Sequence, residues 1–352
     1  ILVMAIFAVL GALDRIFGGR FGLGKQFEEG ILAMGSLALA MVGIIVISPV
    51  LAQVLRPVIV PVYTFLGADP AMFAGTILAS DMGGGALAKE LTNDPQAAAL
   101  GGVLCGSMLG ATIVFTIPVA MGILPEKDRP YLAKGVLAGI VTVPVGVFVG
   151  GLVAGYDAFM VLRNLVPVIL IGALIALGLL LAEKAMIKGF GIFGKAVIAL
   201  ITVGLVASIF QTLTGYVLIP GLAPIEEGFL TVGAIAIVLA GAFPLVYVLT
   251  KLLKKPLMKL GHLLGVGDTA AAGLVASLAN SIATFNMVGG MDERGKVVNI
   301  AFAVSAAFVF GDHLAFTGGW NPEAIPALIA AKLTAGGTAL VLSLMITKKL
   351  RS

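Results

Sequence analysis

The sequence predicts an all-α integral membrane protein, a polytopic helical bundle of about nine spans with two re-entrant hairpins and an inverted-topology internal repeat. Hydrophobic residues make up 60% of the 352 positions and charged residues only 11%. A soluble domain needs roughly a quarter charged residues to cover its surface, so this composition excludes a soluble fold. Long apolar runs also recur from end to end, each near the ~20 residues that cross a hydrocarbon core.

Nine apolar runs are candidate spans, and two further segments are candidate hairpins. The runs are 1–17, 30–54, 96–123, 131–154, 164–183, 196–213, 228–250, 297–317 and 325–347. The hairpins are 57–80 and 256–281, in each of which two apolar arms of about ten residues flank a turn rich in Gly and Asp. Ten helical residues rise about 15 Å, half the hydrocarbon thickness, so such an arm enters the membrane and returns.

An internal repeat relates the two halves of the chain. Residues 27–43 read FEEGILAMGSLALAMVG and residues 225–241 read IEEGFLTVGAIAIVLAG, with seven of seventeen positions identical. We therefore expect a first transmembrane repeat over 1–155, a linking transmembrane helix over 156–195 and a second, inverted repeat over 196–352.

Basic residues predict how these repeats are oriented. With both hairpins re-entrant, Lys and Arg divide into 18 cytoplasmic, three external and one, Lys332, inside a span. If each hairpin segment instead crossed the membrane once, 11 basic residues would lie inside and 10 outside. The positive-inside rule therefore favours the hairpins and a cytoplasmic C-terminus, which carries Lys348, Lys349 and Arg351. Equivalent loops then face opposite sides, an arrangement typical of secondary transporters with a solute site near the midplane.

Composition also excludes several kinds of partner. The basic residues lie between apolar runs and do not cluster with aromatics, so the net charge of +4 does not indicate nucleic acid. One cysteine, Cys105, and two histidines supply no disulfide framework and no metal-binding motif, and we expect neither a metal nor a cofactor. Because Ile1 begins inside an apolar run, we expect a few residues to precede it.

Five strings of the sequence carry a resemblance to a known family. They are QFEEGILAMGSLALAMVG, FAGTILASDMGGGALAKEL, GSMLGATIVFTIPVAMGI, YLAKGVLAGIVTVPVG and FGDHLAFTGG. Together they resemble the ethanolamine permease of the bacterial ethanolamine-utilisation system along almost the whole chain. The resemblance implies ethanolamine as the substrate of a multi-pass protein of the bacterial plasma (inner) membrane. One departure is Gly85-Ala86, where we expect bulkier residues in relatives.

Asp81 is the leading candidate for a substrate-binding residue. Ethanolamine is mostly a cation at neutral pH, and its ammonium needs a carboxylate or carbonyl oxygens. Asp81 follows the second arm of the first hairpin and precedes Gly83-Gly84-Gly85, where an unwound backbone would free carbonyl oxygens. An acid at membrane depth is a functional candidate, because its burial is otherwise costly. The alternative is a helix-terminal acid solvated in the outer headgroup region.

The polar stretch 279–286, which begins at the end of the second hairpin, supplies four further candidates. Asn280 falls opposite Asp81 in the repeat and is either a substrate ligand or a helix cap. Thr284 and Asn286 continue the same polar stretch. Phe285 either offers a cation–π face or packs in the core, and packing is the commoner role for a single Phe.

Three more candidates lie elsewhere in the apolar spans. Asp312, followed by His313, is either a second cation ligand or part of a proton path, or else forms an acid–imidazole pair at the outer surface. Ser107 and Thr112 lie on a small-residue helix face and complete the predicted substrate-binding set. We interpret Trp320 as an interfacial anchor rather than the wall of a cation cage.

Two acidic pairs, Glu28-Glu29 and Glu226-Glu227, open equivalent helices of the two repeats. The helix dipole explains one acid of each pair. The use of both acids in both repeats favours a role at each mouth of the pathway or between the repeats.

These observations predict a facilitator or secondary transporter of ethanolamine, with no catalytic residue. The alternative is an intramembrane enzyme or an ion-pumping membrane subunit that uses Asp81 and Asp312 as paired acids. A passive subunit of a larger complex is a third class. The expected partners are ethanolamine and the lipid bilayer, and the sequence leaves a coupling ion and a homo-oligomer open.

Overall fold

The computed structural model describes residues 1–348, and only the backbone at positions 257, 260 and 262. Lys349 and Arg351, which the charge argument places in the cytoplasm, lie outside the described residues. The described part of the chain is built of helices and contains no β-strand.

Residues 1–348 contain fourteen α-helices. In order they are α1 Leu2–Ile16, α2 Leu23–Phe65, α3 Ala71–Ile77, α4 Gly84–Leu91, α5 Pro95–Ala99, α6 Ile117–Ile123, α7 Arg129–Val153, α8 Ala158–Thr214, α9 Ile225–Leu263, α10 Asp268–Ala279, α11 Ser281–Val288, α12 Glu293–Ala306, α13 Asp312–Trp320 and α14 Ile325–Ile346. Two π-helical stretches, Leu100–Gly110 and Thr112–Thr116, join α5 to α6. We call residues 100–116 the π segment.

Six helices of the described chain are long and apolar enough to cross a membrane, against the nine spans predicted. They are Leu23–Phe65, Pro95–Ile123, Glu126–Val153, Ala158–Thr214, Ile225–Pro256 and Pro322–Ile346. The protein is therefore a helical membrane protein, as its composition predicts.

The difference in number has local causes. The predicted spans 164–183 and 196–213 are joined in α8, 57 residues long and kinked at Ala182, where φ is −146° and ψ is 48°. The predicted span 297–317 is instead divided into α12 and α13 by an unwound stretch in which Phe308 has φ of 63°. Because α1 has only 15 residues, it is too short to count as a full crossing by length.

Both predicted hairpin turns are present, but the arms that precede them are not separate. Helix α2 continues through Pro57 to Phe65, and α9 continues through Pro256 to Leu263. Proline is tolerated inside such helices because neighbouring groups satisfy the freed backbone carbonyls. After the turns, α10 folds back on α9, whereas α3 packs mainly on the π segment. Tyr63 Oη lies 3.4 Å from Thr76 Oγ1 across the first turn.

The two long helices α2 and α9 pack against each other through glycines. A Cβ added to Gly30 would lie 2.6 Å from the backbone nitrogen of Ala240, and one added to Gly228 would lie 2.8 Å from Cγ1 of Val42. Since an early residue of each helix meets a later residue of the other, α2 and α9 run antiparallel. The alignment of 27–43 with 225–241 matches Gly30 with Gly228 and Val42 with Ala240. Each glycine therefore contacts the residue that aligns with the partner of the other glycine.

A second pair of equivalent glycines makes equivalent contacts with other helices. Gly43 of α2 lies directly against the carbonyl of Ile201 in α8. Gly241 of α9 lies directly against the carbonyl of Met4 in α1. At both places only a residue without a side chain allows the two backbones to approach this closely.

The π segment forms the centre of the bundle. Every residue from 97 to 114 is buried, although the sequence is apolar enough for a lipid-facing span. Its glycines pack closely against the loop that follows α3. A Cβ on Gly106 would lie 3.1 Å from the backbone nitrogen of Ser80, and Gly110 lies directly against the carbonyl of Leu78.

Candidate functional site

Asp81 lies in a break between α3 and α4. Residues 78–79 are extended, with ψ of 141° and 149°, and Ser80–Met82 form one 3₁₀ turn. Gly83 then takes φ of 103°, a left-handed conformation that disfavours any residue with a side chain. A Cβ at this position would also collide with Ile44 of α2. The break therefore holds Asp81 inside the bundle at the start of α4.

The glycines after Asp81 have a different role from the one predicted. We expected an unwound backbone over 83–85, but α4 begins at Gly84, and the unwinding precedes Asp81 instead. A Cβ on Gly85 would lie 2.7 Å from Cζ of Phe316. Glycine at this position therefore makes room for an aromatic ring.

Asp81 faces a cavity of about 390 Å³ that both halves of the chain enclose. Its carboxyl side chain is 20% exposed there. The walls comprise Met41, Ile44, Ile45, Ser48 and Pro49 of α2, Ser80, Gly83, Ala86, Lys89 and Glu90 around the break, and Ala223, Glu227, Thr231, Phe316 and Trp320 of the second half. The cavity thus combines acids with apolar and aromatic surface, as a site for a small organic cation requires.

Two aromatic rings form one wall of this cavity. Phe316 and Trp320 stack with centroids 5.8 Å apart and an interplanar angle of 22°. The ammonium of Lys89 lies 4.3 Å from the centre of the Trp320 ring, a distance typical of a cation–π contact. Trp320, which we interpreted as an interfacial anchor, is therefore part of the cavity wall.

Ser80 contributes an uncommitted hydroxyl. The residue is 1% exposed, and its Oγ has no hydrogen-bond partner among the described residues. A buried hydroxyl without a partner costs free energy unless a ligand or water satisfies it. Since Ser80 precedes Asp81 and lines the same cavity, its hydroxyl is placed to bind what Asp81 binds.

A second layer of charged groups lies behind Asp81. Nε2 of His313 is 3.8 Å from Oδ1 of Asp81, and Asp312 directly precedes His313 at the start of α13. The ammonium of Lys332 in α14 donates a hydrogen bond of 2.6 Å to the carbonyl of Ser107 in the π segment. Gly106, next to Ser107, packs against Ser80. The structure therefore brings together two of the predicted site residues, Asp81 and Asp312.

The four candidates between residues 280 and 286 lie elsewhere in the bundle. Asn280 is in a break between α10 and α11, and its Oδ1 accepts a 2.7 Å hydrogen bond from the backbone nitrogen of Ile282, which makes it a helix cap. Thr284 donates to the carbonyl of Gly273 at 2.9 Å. Phe285 is fully buried and Asn286 is exposed. None of the four lines the Asp81 cavity.

The side chains of the two candidates in the π segment form hydrogen bonds with backbone carbonyls of the same segment. The hydroxyl of Ser107 donates to the carbonyl of Leu104 at 3.0 Å, and that of Thr112 donates to the carbonyl of Met108 at 2.7 Å. Neither side chain lines the cavity. Ser107 contributes to this region only through its backbone carbonyl, which accepts the hydrogen bond from the ammonium of Lys332.

The acidic pairs are divided between surface and cavity. Glu28 forms an ion pair of 3.4 Å with Arg15, and Glu29 lies 3.7 Å from Nζ of Lys25. Glu226 is exposed, whereas Glu227 lines the cavity. Glu227 alone of the four is therefore placed at the mouth of the cavity that Asp81 faces.

Sequence reasoning missed Ser80 and Phe316 and gave Lys332 no role. A signal for Phe316 was present, because Asp312, Phe316 and Trp320 recur every four residues and so share one helix face. Lys332 was recognisable as the one basic residue that the charge count assigned to neither side of the membrane. No such pattern marks Ser80.

Comparison with known proteins assigns the chain to a family. The model of the family described as ethanolamine utilisation protein EutH matches residues 1–346. The chain belongs to the EutH family. A protein of Listeria monocytogenes named probable ethanolamine permease EutH is 59% identical over 99% of this chain and 94% of its own length. The Salmonella typhimurium protein of the same name is 49% identical over the same shares.

Another relative carries no functional name. The uncharacterized protein YxeR of Bacillus subtilis is 50% identical over 96% of this chain and 92% of its own length. No solved structure matches the chain significantly. Family membership therefore rests on sequence, and the resemblance recognised from the five strings is confirmed.

Proposed function

We propose that this protein transports ethanolamine across the bacterial plasma membrane as the ammonium ion, which binds at Asp81. The observation that carries the proposal is an acid that faces a partly open cavity in an apolar bundle, between a hydroxyl without a hydrogen-bond partner among the described residues and two aromatic rings. Membership of a family whose relatives are named probable ethanolamine permeases supports the choice of substrate.

Each part of ethanolamine has a complementary group in the cavity. The ammonium is attracted by the carboxylate of Asp81, and a charge-assisted hydrogen bond of this kind is shorter and stronger than a neutral one. The hydroxyl of Ser80 pairs with the substrate hydroxyl or with a second ammonium proton. The face of Phe316 attracts the cation, whereas the face of Trp320 is already taken by Lys89.

We further propose that the site lies between two inverted repeats. The cavity is lined by α2 and the break before α4 in the first half and by α9 and α13 in the second. The antiparallel packing of the equivalent helices α2 and α9, with reciprocal glycine contacts, supports this arrangement. Alternating access would then come from movement of one repeat against the other around the site.

Uptake by the purified protein in liposomes tests the transport proposal. We expect saturable uptake of labelled ethanolamine that unlabelled ethanolamine inhibits and that ethylene glycol, which lacks the ammonium, inhibits poorly. The labelled compound should be recovered unchanged, since the alternative of an intramembrane enzyme requires conversion. Uptake no faster than in protein-free liposomes would contradict the proposal and favour a passive subunit of a larger complex.

Labelling of single cysteines with an impermeant reagent tests the repeat proposal. In a background without Cys105, positions in the loops 126–130 and 186–195 and position 350 should react only from the cytoplasmic side. Positions in 214–224 should react from outside. Reaction of residue 350 from outside would refute the orientation derived from the basic residues.

A further inference from the structure

Lys332 is a buried ammonium with an incomplete set of partners. It lies two turns into α14, is 1% exposed and donates to the carbonyl of Ser107. Among residues 1–348 no carboxylate lies within 4.0 Å of its Nζ. Another buried lysine, Lys296, is by contrast 2.6 Å from Asp128. Burial of an ammonium at membrane depth is costly, so a lysine there without a direct ion pair points to a function.

Lys332 is connected to the substrate site through the π segment. It donates to Ser107, and the neighbouring Gly106 packs against Ser80, the residue before Asp81. His313 lies 3.8 Å from Asp81 on the same site. Further titratable groups on α13, in the π segment and in the cavity wall are Asp312, Cys105, Lys89, Glu90 and Glu227. Helices α7 and α12 meet α14 through small and apolar residues, among them Gly146 against Ala335 and Phe302 against Gly336.

Binding of a second cation disturbs the charge balance of this site. With Asp81 ionised and Lys332 protonated, the pair is neutral, as a low-dielectric interior favours. An ethanolammonium ion at Asp81 adds one positive charge to the same enclosed region. The simplest restoration of neutrality is the loss of one proton from Lys332, whose amine, unlike an arginine guanidinium, can be neutralised.

We propose that Lys332 is a proton-exchanging residue and that each ethanolammonium ion moves inward in exchange for one proton moving outward. This inference rests on the proposed function and adds the coupling ion to it. When the cavity is open to the outside, the substrate cation binds Asp81 and the proton of Lys332 leaves to the external water. When it is open to the cytoplasm, the cation leaves and a cytoplasmic proton returns to Lys332. No net charge crosses the membrane in this cycle.

The exchange predicts a specific response to imposed gradients. The protein-mediated rate should not change with a potassium diffusion potential, whereas a uniporter of the cation would respond up to tenfold to about 59 mV. Inward movement should also make the liposome interior more alkaline. Because leakage of the neutral amine does the same, the signal that counts is the rate above that of protein-free liposomes, followed with an internal pH dye.

Substitution of Lys332 separates the exchange from transport itself. In Lys332→Gln no proton can be exchanged, so uptake should become dependent on voltage, and alkalinisation should fall to the protein-free rate. In Lys332→Arg the charge cannot be removed, so uptake should fall at least tenfold while the protein still folds. The matched control Lys134→Gln removes an exposed lysine of α7 and should retain voltage-independent exchange.

Each result identifies which proposal fails. Wild-type uptake that follows the voltage and leaves internal pH unchanged would overturn the exchange while leaving ethanolamine transport intact. Wild-type behaviour in Lys332→Arg would overturn it as well, even if Lys332→Gln did not fold. Absence of any protein-dependent uptake would instead contradict the proposed function.

Discussion

Substitution of Asp81 by Asn is the most direct test of the substrate site. The change retains the shape of the side chain and removes the charge that faces the cavity. A hydrogen bond to a charged group contributes about 1.5–3 kcal/mol, which corresponds to a roughly ten- to hundredfold weaker apparent affinity for the ammonium. Because Asp81 is partly exposed to the cavity, water replaces some of the lost interaction and the lower half of that range is expected.

The assay is the concentration dependence of labelled ethanolamine uptake at mildly acidic pH, where the neutral amine that leaks through lipid is scarcest. Asp157→Asn is a matched control, since Asp157 caps α8 outside the cavity and Asn caps helices equally well. Expression and membrane insertion should match the wild type in both variants. Unchanged affinity in Asp81→Asn would show that the cation is held elsewhere, and Asp312 would be the next residue to test.

Three other substitutions have distinct expected effects. Phe316→Leu should weaken apparent affinity about two- to fivefold, the equivalent of a cation–π contact of ~0.5–1 kcal/mol, and an unaltered uptake curve would remove that ring from the site. Asn280→Ala should lower stability by about 1 kcal/mol in thermal unfolding because a cap is lost, with affinity retained; lost affinity would return Asn280 to the site. Gly43→Leu should abolish the folded protein in size-exclusion chromatography, since its side chain would overlap the carbonyl of Ile201, whereas Gly35→Leu on the same helix points into open space and should fold.

Local signals in the sequence located the turns and the acid of the site. The Gly/Asp clusters near 67–70 and 265–268 mark the two turns because glycine supplies a left-handed backbone, with φ of 71° at Gly67 and 68° at Gly265. Asp81 was recognisable because an ionisable residue within an apolar stretch is costly without a function. The apolar runs likewise identified a membrane protein, which the six long helices confirm.

Features that depend on tertiary contacts were not predictable in the same way. The run-based count placed an end near Arg56, but α2 continues past Pro57, because a proline does not end a helix whose neighbours satisfy the freed carbonyl. Asn280, which the sequence repeat aligns with Asp81, has different surroundings and caps α11. The wall formed by Phe316 and the charge of Lys332 meet Asp81 only after distant segments have packed.

The position of Lys332 in the last helix has a consequence for synthesis of the protein. A growing chain presents Asp81 and the small-residue surface of the π segment long before α14 emerges from the ribosome. Until then the bundle lacks the ammonium of Lys332, and the π segment, buried at every described position except Phe115 in the finished bundle, has lipid or an insertion factor where α12 and α14 will later pack. A chain terminated before residue 325 would retain the acid without this cation. The last helix to enter the membrane thus completes the electrostatics of a site that the first helices began.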